Sequence, residues 1–271
     1  SEGQSEEEQQ NEGTTTSDGE TVAAVAENEQ TKAAAEGIDN ASELKNKLES
    51  VAENQSGSFK LMKDLDCSEE IFLNKKGSNI TLDLNGCKIK HSGEGNKPLF
   101  SVSNGAEFTI TDFNPGKDEI ADTQPLQNQG QDLTAENYGK TAEMSYVDDV
   151  PTKLTYYVTK SSVDTTDSTR TNETTDKHEV TINGAIVGTK DSAMRLINVY
   201  TGGTFNLQCG VLTTTQNAKV GNLIYAENGS TVNMSGGYVC GATSTGQGAG
   251  IELKDKSTTL NLTGGVIAGN H

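Results

Sequence analysis

Three segments near the carboxyl-terminal end of the chain say nearly the same thing: "TFNLQCGVLT" (204–213), "TVNMSGGYVCG" (231–241) and "TLNLTGGVIAGN" (259–270). Asn206 to Asn233 is 27 residues, and Asn233 to Asn261 is 28. Self-similarity at a fixed period of this size marks a repeat architecture, in which no unit buries its apolar face alone and stacking supplies the core. Each unit opens on a short apolar segment ("MRLINV", "NLIYAEN", "GIELKD"), passes a small polar turn, and continues as T-x-N-x with Phe205, Val232 and Leu260 in matching places. It closes on glycine and an apolar pair: Val211-Leu212, Tyr238-Val239 or Val266-Ile267.

The segments alternate with period two rather than at i, i+3, i+4, which argues strand and not helix. Propeller blades need about 40 residues and four strands, too many for this period. A right-handed parallel β-helix turn of three short strands fits about 27 residues, so the expected fold class is all-β, a parallel β-helix solenoid. Stacked coils place Phe205, Val232 and Leu260 in one inward ladder, with Asn206, Asn233 and Asn261 in a polar ladder beside it. The glycines read as turn positions rather than as places where a ligand approaches.

The pattern extends backward through "HEVTINGAIVG" (178–188), "PLFSVSNGAEFTITDF" (98–113) and "NITLDLNGCKI" (79–89), giving six coils. The expected core is Leu82, Leu84, Ile89, Phe100, Phe108, Ile110, Val180, Ile182, Leu196, Phe205, Leu223, Val232, Ile251 and Leu260.

Net charge is −18, and ten acidic residues fall in 1–37 against one lysine, with no Phe, Tyr, Leu or Ile there. Such a segment cannot bury enough apolar surface to offset its ordering entropy, so 1–37 is expected to be disordered. With two arginines, Arg170 and Arg195, and no basic stripe, nucleic-acid binding is not expected. No apolar run is long enough for membrane insertion. A chain opening "SEG" without Met reads as a processed, secreted one. The four cysteines have no C-x-x-C spacing, which disfavours zinc. Cys67 and Cys87 lie 20 apart, about one short coil, and are a possible disulfide; Cys209 and Cys240 are about four residues out of register. Buried free thiols are the alternative.

Between the tail and the coils, "IDNASELKNKLESVAENQSG" carries Asn40 with Glu43 three residues on, and an apolar stripe of Leu44, Leu48, Val51 and Ala52. A helix over 38–57, ended by Gly57, would cover the first coil, whose open edge otherwise invites aggregation. The combination "NASELKNKLES…GSFKLMKDLDCSEEIFL…NITLDLNGCKI" with "MSGGYVCGATSTGQGAGIEL" and "LTGGVIAGN" resembles right-handed parallel β-helix (pectate-lyase-like) domains in surface proteins of Gram-positive, gut-type bacteria. The likeness covers 40–113 and 178–271. It implies an extracellular, cell-wall-attached, adhesin-like module, with β-helix from 58 to 271. It also implies further coils and an anchor beyond His271, where the last coil would otherwise lie uncovered. Such a fold is shared by many activities and does not itself name one.

The period breaks over 114–177. The stretch 114–150 is polar, 151–163 ("PTKLTYYVTKSSV") reads as a strand, and 164–177 reads as a Thr/Asp-rich loop. Long insertions in solenoids gather on one side and often bind partners. Tyr138, Tyr146, Tyr156 and Tyr157 are the candidate contacts, since tyrosine joins a flat apolar face to a polar tip. Tyr156 or Tyr157 can instead pin the insertion to the coil wall.

An enzyme on this fold needs a base beside metal-holding carboxylates, or two carboxylates about 5–10 Å apart. Arg195 has no Asp cluster nearby in sequence and reads as a surface ion pair. Asp83, Asp112, Glu179, Glu252 and Asp255 are the carboxylates on the coils, with Asp83 read as a turn or ladder residue. Asp148-Asp149 and Asp164/Asp167 offer a weak Ca²⁺ site, a solvated acidic loop being the plainer reading. His91, His178 and His271 form no triad with a G-x-S-x-G serine. No catalytic residue, resident metal or cofactor is assigned. The expected function is a monomeric surface binding and stalk module recognising a host glycan or a mucosal protein, such as mucin or immunoglobulin. A polysaccharide lyase or hydrolase is the alternative, and a pure spacer the second.

Overall fold

The computed structural model describes residues 35–93, 97–114, 142–163, 166, 168–169, 171–189, 195–218, 221–244 and 248–271. The first strand, β1 (Glu36–Ile38), precedes a helix, α1 (Ala41–Ser50). Coil one is β2 (Ser56–Leu61), β3 (Leu65–Cys67) and β4 (Ile71–Leu73); coil two is β5 (Asn79–Asp83), β6 (Lys88–His91) and β7 (Phe100–Val102). Coil three starts with β8 (Glu107–Thr111), detours through β9 (Ala142–Val147), β10 (Val150–Val163) and β11 (Thr171–Thr181), then resumes as β12 (Ala185–Gly188) and β13 (Arg195–Val199). Beyond it lie β14 (Thr204–Leu207), β15 (Val211–Thr214), β16 (Asn222–Ala226), β17 (Thr231–Cys240), β18 (Ile251–Leu253) and β19 (Thr259–Ala268). Strands β17 and β19 each span two walls of the solenoid.

Every coil-to-coil pairing is parallel, and the result is a β-solenoid of about seven turns. The first wall stacks β1-β2-β5-β8-β14-β17-β19, the second β3-β6-β12-β15-β17-β19, and the third β4-β7-β13-β16-β18. The six expected coils are redistributed: 98–113 and 178–188 share coil three, Ser56–Leu73 forms a coil that the count omits, and β1, whose Ile38 pairs with Leu61, adds a lowest rung. Residues 36–38, expected to fall partly in a disordered tail and partly in the helix, form the lowest rung instead. The remainder of the expected tail lies outside the described residues.

Side chains stack in columns because the register holds from coil to coil. On the second wall Leu65, Ile89, Ile186, Leu212, Val239 and Ile267 follow one another. On the first, Ile80, Phe108, Phe205, Val232 and Leu260 do so. Phe108 sits 4.7 Å from Phe100 and 6.0 Å from Phe205 between ring centroids, a tilted aromatic stack down the interior. Outside this column the asparagines bond as a ladder: Asn261 Nδ2 donates to Asn233 Oδ1 and Asn233 Nδ2 to Asn206 Oδ1, both at 2.8 Å. Asn206 Nδ2 then donates to Glu107 Oε1 at 2.7 Å and Thr109 Oγ1 at 3.0 Å, carrying the ladder one coil lower.

The helix is shorter than the 38–57 expected. Asn40 Oδ1 accepts from the Glu43 amide at 2.9 Å, and Glu43 Oε2 accepts from the Asp39 amide at 2.9 Å, fixing the start. It stops at Ser50 because Val51 turns extended (ψ 117°) and Asn54 adopts φ 56°. Gly57 is therefore no helix terminator. It lies inside β2, where a Cβ would come within 2.7 Å of Val51 Cγ2 and 2.8 Å of the Phe59 ring, so its lack of a side chain seats the helix. Leu44 and Leu48 are fully buried over the first coil, whereas Ala52 is exposed. No helix among the described residues is long and apolar enough to cross a membrane.

Candidate functional site

The insertion leaves the solenoid at the corner between the first and second walls. Other coils turn this corner in a few residues, through Gly210, Gly237 and Gly265 with φ of 92°, 71° and 86°. In coil three, Asp112 holds the departure point: its Oδ1 accepts from the Gly86 amide at 2.8 Å and the Asn114 amide at 3.1 Å. Its carboxyl is raised above the usual carboxylate range, mainly by burial.

The insertion then builds a three-stranded antiparallel sheet in the order β11-β10-β9. A two-residue turn, Asp148-Asp149 at φ 49° and 67°, joins β9 to β10. Both residues occupy the left-handed region that aspartate tolerates better than most side chains, so the acidic pair is turn chemistry. Asp164 and Asp167 lie outside the described residues. Among the described residues no three His, Cys, Asp or Glu side chains gather as metal ligands. The stretch expected to be a loop, 164–177, contributes to β11, which pairs with β10 from Val163↔Thr171 to Lys153↔Thr181. Residues 178–181 thus belong to this hairpin and not to a coil; only β12 stacks on the solenoid, between β6 and β15.

Two residues assigned to the interior move accordingly. Val180 and Ile182 are buried, but in a second apolar cluster outside the solenoid, with Leu154 and Tyr156 against Ala185, Val187, Val211, Tyr238 and Cys240. The outward row of the second wall explains this cluster. In the lower coils it reads Asp66, Lys88 and Lys90; from β12 upward it reads Ala185, Val187, Val211, Thr213, Tyr238, Cys240, Val266 and Ala268, apolar at every place but Thr213. A wall covered on both faces gives continuous apolar runs instead of alternation. That is the signal in "AIVG", "YVC" and "VIA" that the periodic reading passed over.

Strand β9 lies across the coil strands, along the stacking direction. A Cβ on Gly269 in the top coil would come within 2.9 Å of Ala142 Cβ, and one on Gly241 a coil lower within 2.7 Å of Met144 Cγ. Lower still, the Gln216 amide donates to Asp149 O at 3.4 Å. Strand β10 returns toward the top coil. There, Tyr156, Tyr157 and Val158 border a groove of about 730 Å³, together with Ser235, Gly236, Tyr238 and the unbroken run Thr263–Gly269 of β19 and the residue after it. Among the described residues, no charged side chain lines it. Gly236 and Gly264 serve the stacking, since a Cβ would strike Gln208 O or Ser235 O of the coil below.

The four tyrosines have different fates. Tyr156 is buried, stacked on His178 at 4.9 Å between ring centroids. Tyr157 is half-buried, opposite Lys177 in the β10–β11 register and at the groove. Tyr146 is half-buried near Cys240 and Asp149, with burial the main reason its hydroxyl pKa is raised. Tyr138 lies outside the described residues.

The carboxylates expected on the coils are held by the fold, Glu179 on the insertion hairpin and the others on the solenoid. Asp83 Oδ1 accepts from the Asn85 amide at 2.8 Å and the Phe113 amide at 2.9 Å, a turn role. Glu179 is paired with Lys177 at 2.9 Å and Lys153 at 3.2 Å, Glu252 accepts from Asn222 Nδ2 at 2.9 Å, and Asp255 is pulled down to about 2, first by the Ser257 hydroxyl and then by the Asn228 amide. Arg195, read as an ion-pair residue, lies over the Tyr225 ring at 3.3 Å from its centroid. None of the four cysteines is in a disulfide. Cys67 stands level with His91, 24 residues on, which leaves Cys87 four residues short of that row and rules out the proposed pairing. Cys240 stands one row past Val239↔Leu212, so it is four residues out of register with Cys209, as expected. Comparison with known proteins finds no matching family, no matching curated protein and no matching solved structure.

Proposed function

We propose that this chain is a stalk and binding module of an extracellular, wall-attached bacterial surface protein, taking a host glycan or host protein in the groove beneath β10. The observation that carries the reading is that groove: a channel of about 730 Å³, lined by no charge among the described residues, where the tyrosine-bearing insertion meets the top coil. Its size falls within the roughly 300–1,000 Å³ usual for ligand sites. The columns of stacked side chains below it make a stiff support, which suits presentation at a distance. The resemblance of the helix and glycine-rich coils to β-helix domains of Gram-positive, gut-type surface proteins supports the location.

A pull-down from mucosal secretions tests this, using the whole chain and a variant with Tyr157→Ala and Thr263→Arg, which strips one border of the groove and fills it with charge. Retention of a mucin or an immunoglobulin by the first bait, and its loss with the second, is the expected result. Equal retention by both baits moves recognition away from the groove. No retention by either leaves the spacer or a polysaccharide-degrading enzyme in its place.

A further inference from the structure

The insertion is tied to the solenoid at one corner, between the first and second walls, where the chain departs after Asp112 and returns at Gly184. In the other coils this corner is one continuous run of chain. In coil three two separate passes meet there, with the Asp112 side chain between them, only 4% exposed. Its Oδ1 accepts from the Gly86 amide of the coil below at 2.8 Å and from the Asn114 amide of the departing pass at 3.1 Å. Its Oδ2 is turned to the returning pass, so close that a Cβ on Gly184 would collide with it. Among the described residues Oδ2 is buried and has no hydrogen-bond partner.

A buried oxygen without a donor is costly for a carboxylate, and much less so for a neutral carboxyl group. The groups facing Asp112 do not offset that cost. Asp83, at the end of β5 one coil below, is a second carboxylate, and Asp64 lies in the coil below that. Cys87, just before β6, is itself shifted upward by burial and then by the Asp64, Asp112 and Asp83 charges, with Lys88 the one cation acting against them. On the returning side β12 opens with Ala185, and above, β14 runs out into Gln208 and Cys209, none of them a cation. Burial therefore dominates the Asp112 carboxyl. The Gly86 and Asn114 amides pull its pKa back, the Asp83 charge raises it again, and the Gly184 amide acts least.

We propose that Asp112 is a proton-operated clasp at the root of the insertion, holding the β9–β11 sheet to the coils more firmly when its carboxyl carries a proton than when it is ionised. A carboxyl whose pKa lies above its ordinary 3.8 in the folded chain takes up a proton as the chain folds. Its contribution is therefore most favourable in acid and is lost as pH rises through the folded value. Asp112 touches the departing pass through the Asn114 amide and the returning pass at Gly184, so the effect falls on the insertion root and not on the stacked columns. The tyrosine-bearing sheet consequently sits tightest in acid and opens more readily toward neutral pH. This holds whether or not the groove takes a ligand.

The test is hydrogen exchange of the whole chain at about pH 4.5 and about pH 7.5, corrected for intrinsic amide rates. It compares the parent with Asp112→Asn, which keeps an acceptor at Oδ1 and cannot ionise. For amides of 142–158, the ratio of opening at the higher pH to opening at the lower should be at least about threefold larger in the parent. Amides of β14 and β16 should give the same ratio in both chains. Carbon NMR of the Asp112 carboxyl in the unaltered chain should show a midpoint above 3.8. Equal ratios in the two chains overturn the clasp, and so does a difference spread evenly over β14 and β16, or a carboxyl midpoint at or below 3.8. Should Asp112→Asn fail to fold, the carboxyl midpoint and the distribution of the parent's own pH response decide in its place.

Discussion

His91 is fully buried at the end of β6, with Nδ1 3.2 Å from Cys67 O and Nε2 2.8 Å from Lys97 O. A neutral imidazole donates to only one of these carbonyls. Burial nevertheless dominates and lowers its pKa below 6.5, while the two carbonyls and the Glu70 charge pull it partly back. The unfolded chain thus binds a proton that the folded chain resists, so His91 favours folding above pH 6.5 and loses that contribution as pH falls. Denaturant midpoints measured from about pH 7.5 down to about 5 should decline, and His91→Gln should flatten the decline. An unchanged slope in the variant would remove His91 from the account. The neighbouring thiol gives a second check. Burial, with the Asp66 charge second, pushes Cys67 up to about 12. The native chain should resist iodoacetamide at Cys67 near pH 8, and its non-reduced mass should show four free thiols. A mass short of two hydrogens would mean a disulfide that the register forbids.

Among the elements, the insertion sheet depends on two glycines where β9 crosses the wall. Gly241 has φ 72°, and its missing Cβ is what lets Met144 approach. Gly241→Ala should cost about 1–3 kcal/mol by combining overpacking with a strained backbone. Hydrogen exchange should localise the damage: amides of 142–158 open faster, while those of β3 and β6 keep their protection. Uniform loosening would show that the sheet and the coils are one cooperative unit. The coils themselves were legible in the sequence because T-x-N-x recurs with one fixed period, which aligns Phe205, Val232 and Leu260 in one column. The return strand β11 was not legible. "TNETTDKHEV" is polar and rich in threonine, and its strand character comes from pairing with β10 rather than from an apolar face. Tyr156 and Tyr157 looked equivalent for a related reason: adjacent strand residues point to opposite faces, and only the second core settles which face is buried. The groove had no sequence signature, since it arises where two elements far apart in the chain meet.

For the molecule as a whole, the solenoid and its insertion sheet form two stacked cores that share one wall. The shared wall changes character at the coil where the insertion leaves: Lys88 and Lys90 below, Ala185 and Val187 directly above them in register. If the insertion were only a loop added to a complete stalk, the wall beneath it would keep the charged character of the lower coils. Its apolar row instead makes the upper coils dependent on the cover, because an exposed apolar patch of several aligned side chains drives association. Replacing 115–183 with a short Gly-Ser link should therefore leave parallel coils that bind a hydrophobic dye and aggregate. Adding Val187→Lys, Val211→Thr and Tyr238→Lys to the shortened chain, so that the upper row imitates Lys88 and Lys90, should restore a soluble monomer by light scattering. Solubility without those three changes would show that the wall does not need its cover, and that the insertion is an appendage of the stalk.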